Sequence, residues 1–261
     1  KLFQLYIHKD RGLTDNLIER CRKAGFNSMC LTADTVVAGN RERDHKWGFT
    51  TPPKLTLKSL ISFLVSPYWT LNYVFRKKFD LPFLSDYVKE GTNIQISVSD
   101  YFSKMLDQNM NWKDAERVRK KWGGTFCLKG IMSSEDAQKA VDIGADAIMV
   151  SNHGGRQLDS ATAAINMLPL IRKSVGNDFP LIFDSGIRSG SDIVRSLALG
   201  ADFSMIGRPV MYAMGADGAS GLRRIVDIIK EETSTTLGLV GLNDINEVSS
   251  DIIEQKLFMN T

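Results

Sequence analysis

The feature that most constrains this chain is an alternation of two kinds of segment. Short apolar runs at Leu2–Ile7, Ser28–Asp34, Thr125–Gly130, Asp146–Ser151, Pro180–Asp184 and Asp202–Ile206 are separated by amphipathic stretches. Most of the runs are apolar on both faces, which suits parallel strands covered by helices. Ser133 followed by Asp136 reads as a capping box, and Gly144 and Gly200 stand where helices should stop. The pattern also echoes itself. AVDIGADAIMV at 140–150 and ALGADFSMI at 198–206 both run from helix through Gly-Ala-Asp into an apolar strand.

Alternating β and α elements with right-handed crossovers build either a doubly wound sheet or a (β/α)8 TIM barrel. Polar residues gather where the predicted strands end: Gln4 and Tyr6, Thr32 and Asp34, Lys129, His153, Asp184, then Gly207 and Arg208. A barrel aims all such ends at one site, whereas an open sheet offers only the crevice at its switch point. The expected fold is therefore a TIM barrel. The strand candidates correspond to the last six βα units of about eight, so two units are expected upstream of Lys1. The barrel is expected to occupy 1–240, with an inserted loop at 50–97 and a tail segment at 241–261.

That loop departs from the alternation. From Thr50 to Phe79 there is no acidic residue, while Lys54, Lys58, Arg76, Lys77 and Lys78 flank Phe63, Leu64, Tyr68, Trp69, Tyr73 and Phe75. Pro67 interrupts the segment. A basic, aromatic, interrupted stretch suits a membrane–water interface; the bland alternative is a long loop packed on the barrel or in an oligomer contact. No apolar run reaches the ~20 residues needed to cross a bilayer. A net charge of +3 over 261 residues gives no reason to expect a nucleic-acid partner. Cys21, Cys30 and Cys127 form no CxxC pair and read as buried reduced thiols, with no metal site expected.

Two strings carry chemistry. The first is Ser151-Asn152-His153-Gly154-Gly155-Arg156-Gln157-Leu158-Asp159, directly after a predicted strand. Small neighbours leave the His153 ring accessible, and Arg156 offers a fork for a carboxylate. A base beside a carboxylate clamp is what chemistry α to a carboxylate requires. His8 and His45 read as structural. The second string is Asp184-Ser185-Gly186-Ile187-Arg188-Ser189-Gly190, followed by Gly207-Arg208-Pro209. Glycines and arginines at the ends of consecutive barrel strands make a phosphate site. Lys129 reads as a Schiff-base nucleophile, a surface residue or a cation beside an anionic cofactor, and the neighbouring phosphate site favours the last. Asp34 is either a turn residue or a carboxylate that would stabilise protonated His153.

The strings Phe3-Gln4-Leu5-Tyr6, Lys9-Asp10-Arg11-Gly12, Leu31-Thr32-Ala33-Asp34, Leu128-Lys129-Gly130, SNHGGRQLD and DSGIRSG…GRP stand in the order seen in one family. The chain resembles the FMN-dependent α-hydroxy-acid oxidase/dehydrogenase family over nearly its whole length. It is most similar there to the bacterial quinone-linked L-lactate dehydrogenases. The resemblance implies that His153 is the general base at the substrate Cα, paired with Asp34. It further implies that Arg156 binds the substrate carboxylate, that Tyr6 bonds near the hydroxyl, and that Arg41 lies close behind. Gln4 and Thr32 would contact the isoalloxazine edge of FMN, and Lys129 would stabilise its anionic reduced form. Asp184 would hold the ribityl chain, with Gly186, Arg188, Gly207 and Arg208 around the phosphate and Ser185 also binding the cofactor.

The family's N-terminal portion, which carries a carboxylate-binding tyrosine, has no counterpart in this sequence. The segment between Gly48 and Ser97 resembles that of the membrane-associated members; in mandelate dehydrogenase the corresponding region carries the membrane attachment. A peripheral enzyme on the cytoplasmic side of the inner membrane is thus expected. Its substrate would be an L-2-hydroxy acid, best L-lactate, its acceptor a membrane quinone, and its assembly a tetramer by resemblance. The alternatives are an O2-using 2-hydroxy-acid oxidase and a flavin-binding fragment without turnover.

Overall fold

A computed structural model describes residues 1–37, 39–40, 42, 46, 56–75 and 105–254. Six strands form one parallel sheet: β1 Leu2–Leu5, β2 Ser28–Thr32, β3 Thr125–Ile131, β4 Ala147–Val150, β5 Leu181–Asp184 and β6 Phe203–Met205. Each is hydrogen-bonded only to its neighbours in sequence, in the order β1-β2-β3-β4-β5-β6. A doubly wound sheet reverses its strand order at a switch point. This one never does, and the strands curl into part of a TIM barrel.

Helices lie between the strands. They are α1 Arg11–Lys23, α2 Leu57–Leu64, α3 Pro67–Phe75, α4 Trp112–Trp122, α5 Ser134–Asp142, α6 Ala164–Val175, α7 Gly190–Ala198 and α8 Arg208–Leu239. The last is interrupted at Asp217 and Gly218, whose backbones leave the helical region. Ser133 caps α5 by accepting the N–H of Asp136, whose carboxylate turns to Lys139.

Strand periodicity separates two faces. Leu5, Met29, Leu31, Phe126, Leu128, Ile148, Val150, Leu181 and Phe183 join α1 and α4–α6 in the main core. The alternate residues Cys30, Cys127 and Met149 form a second, smaller cluster on the other face, with Ala147 and Ile182. All three cysteines are buried free thiols. Following that parity to the strand ends puts Gln4, Thr32, Lys129, Ser151 and Asp184 on the second face, together at one rim.

The Gly-Ala-Asp echo has a structural meaning at the opposite rim. Gly144 and Gly200, with φ of 79° and 105°, end α5 and α7 in the left-handed turn that glycine tolerates. Asp146 then accepts the N–H of Phe126 at 2.8 Å, and Asp202 accepts that of Leu181 at 2.7 Å. Each aspartate clamps the start of the preceding strand. Arg119 and Arg172 donate to the carbonyls of Gly144 and Gly200 respectively. Arg172 also reaches the carbonyls of Gly176, Asn177 and Phe179, as well as the Asp202 carboxylate. One guanidinium thereby satisfies acceptors that the ends of α6 and α7 leave open.

Candidate active site

The His153 loop leaves β4 through a backbone path that few residues adopt. His153, Gly154 and Gly155 have φ of 58°, 67° and 71°. For histidine the left-handed region costs of order 1 kcal/mol and needs support. That support comes from side-chain oxygens. Ser185 accepts the N–H groups of Asn152 and Gly154, Ser151 accepts that of His153, and the Asn152 side chain accepts that of Gly155. One 3-10 turn over His153–Gly155, with the Gly155 N–H also 3.1 Å from the Asn152 carbonyl, is the backbone's own contribution, and these side-chain oxygens supply the rest. Gly154 also leaves room for a neighbour. A Cβ there would stand 2.7 Å from Arg208 Nη2, which donates to the Gly154 carbonyl.

The loop delivers His153 Nδ1 to Asp34 Oδ1 at 3.0 Å. Asp34 comes from the turn after β2, and the adjacent Thr35 hydroxyl donates to the same oxygen while lying 3.2 Å from Nδ1. Burial alone would push the Asp34 carboxyl up. The His153 hydrogen bond, the Lys129 charge and the Thr35 hydroxyl outweigh it and hold the group below its ordinary value. Asp34 is therefore an ionised acceptor, and His153 keeps Nε2 for other work. The histidine side chain retains 23% of its exposure, so the ring is reachable.

Lys129 is no surface residue. Only 8% exposed, it donates to Ser151 at 2.8 Å and pairs with Asp184 at 2.9 Å, with Asp34 Oδ2 at 3.9 Å. Ser151 in turn donates to Asp184 at 2.7 Å. Across the face, Gln4 donates to Thr32 at 2.9 Å and to the Tyr6 hydroxyl at 3.1 Å.

Arg188 and Arg208 follow β5 and β6, and Arg156 ends the His153 loop. Burial and the charges of Arg188 and Arg156 lower the pKa of Arg208, so the three guanidinium groups share one positive field. Beside them, Gly186 and Gly207 leave open space where a side chain would stand. A cluster of cations, glycine cradles and the N-terminus of α8 suit a phosphate, as the dinegative end of FMN requires. The residues present fit that cofactor.

The structure thus brings together His153, Asp34, Lys129, Asp184, Ser185, Gln4, Thr32 and Tyr6, with Arg156, Arg188 and Arg208 grouped beyond them. Arg41 and His45 lie outside the described residues. His8 is buried with its pKa lowered by burial against the raising effect of Asp10, in keeping with a structural role. Sequence reasoning missed three contributors. Ser151 joins Lys129, Asp184 and the His153 backbone, and Thr35 braces Asp34. Gln157 accepts the Gly39 N–H at 3.0 Å and ties the two loops together. Ser151 and Gln157 stood inside the recognised string, but nothing local to it named their partners.

The loop after β2 contains the α2–α3 pair. Thr56 and Ser59 form a reciprocal capping box at the start of α2, and Pro67 opens α3. Phe63, Trp69 and Tyr73 stack in series at centroid spacings of 5.8 Å and 5.0 Å. No residue of either helix is buried, and Leu64, Tyr68 and Phe75 are about four-fifths exposed. Among the described residues no helix is long and apolar enough to cross a membrane.

Known proteins resemble this chain over nearly its whole length. A family model described as FMN-dependent dehydrogenase matches residues 1–255. An L-lactate dehydrogenase from Vibrio cholerae is 38% identical over 255 residues, covering 97% of this chain and 67% of the relative. The crystal structure of the monotopic membrane protein (S)-mandelate dehydrogenase superposes with a TM-score of 0.87 at 32% identity. That match covers 98% of this chain and 67% of the other. A mandelate oxidase structure superposes at 0.72 and 32% identity, covering 95% and 62%. The chain therefore spans about two thirds of the length of these relatives.

Proposed function

The chain belongs to the FMN-dependent dehydrogenase family, and on that premise we propose that it carries the catalytic face of an L-2-hydroxy-acid dehydrogenase. L-Lactate is the preferred substrate and pyruvate the product. The observation that carries the reading is the His153–Asp34 pair at 3.0 Å, set beside a guanidinium cluster.

Oxidation of a 2-hydroxy acid to a 2-oxo acid releases two protons and two electrons. FMN, when bound, would supply the acceptor for the two electrons and for the hydroxyl proton. His153 Nε2 takes the proton from the substrate Cα, and Asp34 holds the ring in line and stabilises the imidazolium that results. Arg156 binds the substrate carboxylate with a charge-assisted fork, and Tyr6 bonds near the hydroxyl. Lys129 would place a buried cation near the reduced flavin's negative charge, with Gln4 and Thr32 contacting the isoalloxazine edge. Asp184 serves the ribityl chain. Arg188, Arg208, Gly186 and Gly207 would surround the phosphate.

The onward acceptor in this reading is a membrane quinone. The aromatic surface of α2 and α3, where Tyr68, Tyr73 and Phe75 are exposed among the described residues, supports attachment to the cytoplasmic face of the inner membrane. The (S)-mandelate dehydrogenase relative is monotopic, which adds to that support. A homotetramer is the proposed assembly. The likeness to a mandelate oxidase favours a second reading, in which O2 takes the electrons.

Rapid mixing of the FMN-loaded protein with L-lactate, L-mandelate and glycolate should bleach the flavin fastest with L-lactate. Reoxidation should then be faster with a soluble quinone analogue than with O2. Faster reoxidation by O2 would select the oxidase, and no bleaching by any of the three acids would end the hydroxy-acid reading.

A further inference from the structure

We propose that Ser185 is a positioning residue that holds the His153 loop in its working conformation. This rests on the function proposed above and goes beyond the cofactor-binding role carried by its string. Ser185 has φ of 114°, in backbone territory that belongs to glycine. A glycine would occupy it without strain, so the serine side chain must supply something that offsets the cost.

Its one polar atom is committed to the His153 loop. Oγ accepts the Asn152 N–H at 3.2 Å and the Gly154 N–H at 3.0 Å, the two amides that bracket His153. It also lies 3.3 Å from Ser151 Oγ, which accepts the N–H of His153 itself at 3.1 Å. Two hydroxyls at the ends of β4 and β5 therefore hold three consecutive amides. Ser151 is wholly buried and is itself fixed by Lys129 and Asp184. This makes a rigid mount for a histidine that sits in the left-handed region.

A hydroxyl suits the task. Its two lone pairs match the two amides, and it is short enough to keep the loop against β5. Being neutral, it does not compete with Asp34 for the charge on the ring. Without it the amides on either side of His153 lose their acceptors and their peptide planes are free to rotate. The imidazole then swings off the line that joins Asp34 to the substrate. No atom of Ser185 needs to touch the reacting groups.

The test compares Ser185→Gly and Ser185→Ala in the FMN-loaded protein. Ser185→Gly removes the hydroxyl and the strain together, so its thermal midpoint should match or exceed wild type. Amide exchange at Asn152 and Gly154 should nevertheless speed up about tenfold. Flavin reduction by L-lactate should slow about tenfold, with the half-saturating concentration little changed, because geometry and not carboxylate binding is lost. Ser185→Ala keeps the strain and should show the same two changes with a lower midpoint. Unchanged exchange in Ser185→Gly would overturn the proposal. So would loss of FMN with normal exchange, which would return Ser185 to the cofactor. If wild type were not reduced by any 2-hydroxy acid, the functional reading would fall, while the exchange comparison would still decide the mount.

Discussion

The two rims of the sheet are built from the same strands and obey different rules. At the rim where strands begin, Gly144–Asp146 and Gly200–Asp202 repeat one device: a glycine turn, an aspartate clamp and an arginine fork. Left-handed backbone there falls on glycine, and the clamping oxygens have partners. At the rim where strands end, two residues other than glycine, His153 and Ser185, take positive φ. The buried Lys129 lies beside the half-buried Asp34, whose Oδ2 has no hydrogen-bond partner. One rim minimises local cost and the other accepts it, which is the expected division between stability and chemistry in a barrel.

The comparison predicts that a mutation's consequences depend on the rim it touches. The largest effect belongs to His153→Gln, which should lower flavin reduction by about 10²–10⁴ or more through loss of the base. Its FMN content and unfolding midpoint should stay near wild type, since the backbone mount on Ser151 and Ser185 is untouched. Near-normal bleaching by L-lactate would break the division at once.

Arg172→Ala is the counterpart at the other rim. It strands the carbonyls of Gly200, Gly176 and Phe179 and frees Asp202. A loss of about 2 kcal/mol in denaturant unfolding is expected, since hydrogen bonds to charged groups count for ~1.5–3 kcal/mol, the half-buried carbonyls of Gly200 and Phe179 carry most of it, and the exposed Gly176 and Asp202 add little. The folded fraction should still reduce its flavin at the normal rate. A specific loss of turnover would show that the rims are coupled.

Much of this division was legible in the sequence. Apolar periodicity gave all six strands, and the polar residues at their ends converge on one rim as a barrel requires. Five of the observed strands are shorter at their ends, Ile7, Asp34 and Ile206 for instance lying beyond the last ladder bonds, whereas β3 runs one residue further, to Ile131, which pairs with Val150. His153 was legible because its string follows a strand and leaves the ring small neighbours. Long-range partners were not. Arg119, Arg172 and Thr35 look ordinary in sequence, and their roles arise only when another element delivers an oxygen to them. Ser185 was drawn toward the cofactor because its string is glycine-rich. Its positive φ, visible only in the fold, is what redirects it.

Asp34→Asn sharpens the comparison through pH. The Asp34 carboxyl titrates below its ordinary value in the fold, with burial opposing the shift and His153, Lys129 and Thr35 producing it. A lowered folded value contributes stability that is present above the ordinary aspartate value of about 3.9 and lost as pH falls through the lowered one. Wild type should therefore be the more stable near neutral pH, and its advantage over Asp34→Asn should shrink below about pH 4. Flavin reduction should also fall, because an amide cannot stabilise the imidazolium as a carboxylate does. An advantage that grew as the pH was lowered through that range would mean that Asp34 is held in its protonated form.

The smallest expected effect comes from a matched pair, and it is the most direct trial of the two-rim contrast. Gly144 and Gly154 both have positive φ, 79° and 67°. In both, an added Cβ would meet an arginine: Arg119 at 2.8 Å at the rim where strands begin, and Arg208 at 2.7 Å where they end. Alanine at either position therefore introduces nearly the same local insult, a strained turn of about 1 kcal/mol and a displaced guanidinium. Gly144→Ala moves a fork that only closes a helix end, so it should lower the unfolding midpoint slightly and leave FMN affinity alone. Gly154→Ala moves Arg208 away from the phosphate cluster and disturbs the residue next to His153. FMN affinity should fall about tenfold, the equivalent of one charge-assisted contact weakened, with a similar or smaller change in midpoint. Fluorescence titration of the apoprotein with FMN, beside thermal unfolding of both variants, separates the outcomes. If both variants lost only stability, the Gly154 loop would be scaffold like the other rim, and the phosphate assignment of Arg208 would fall with it.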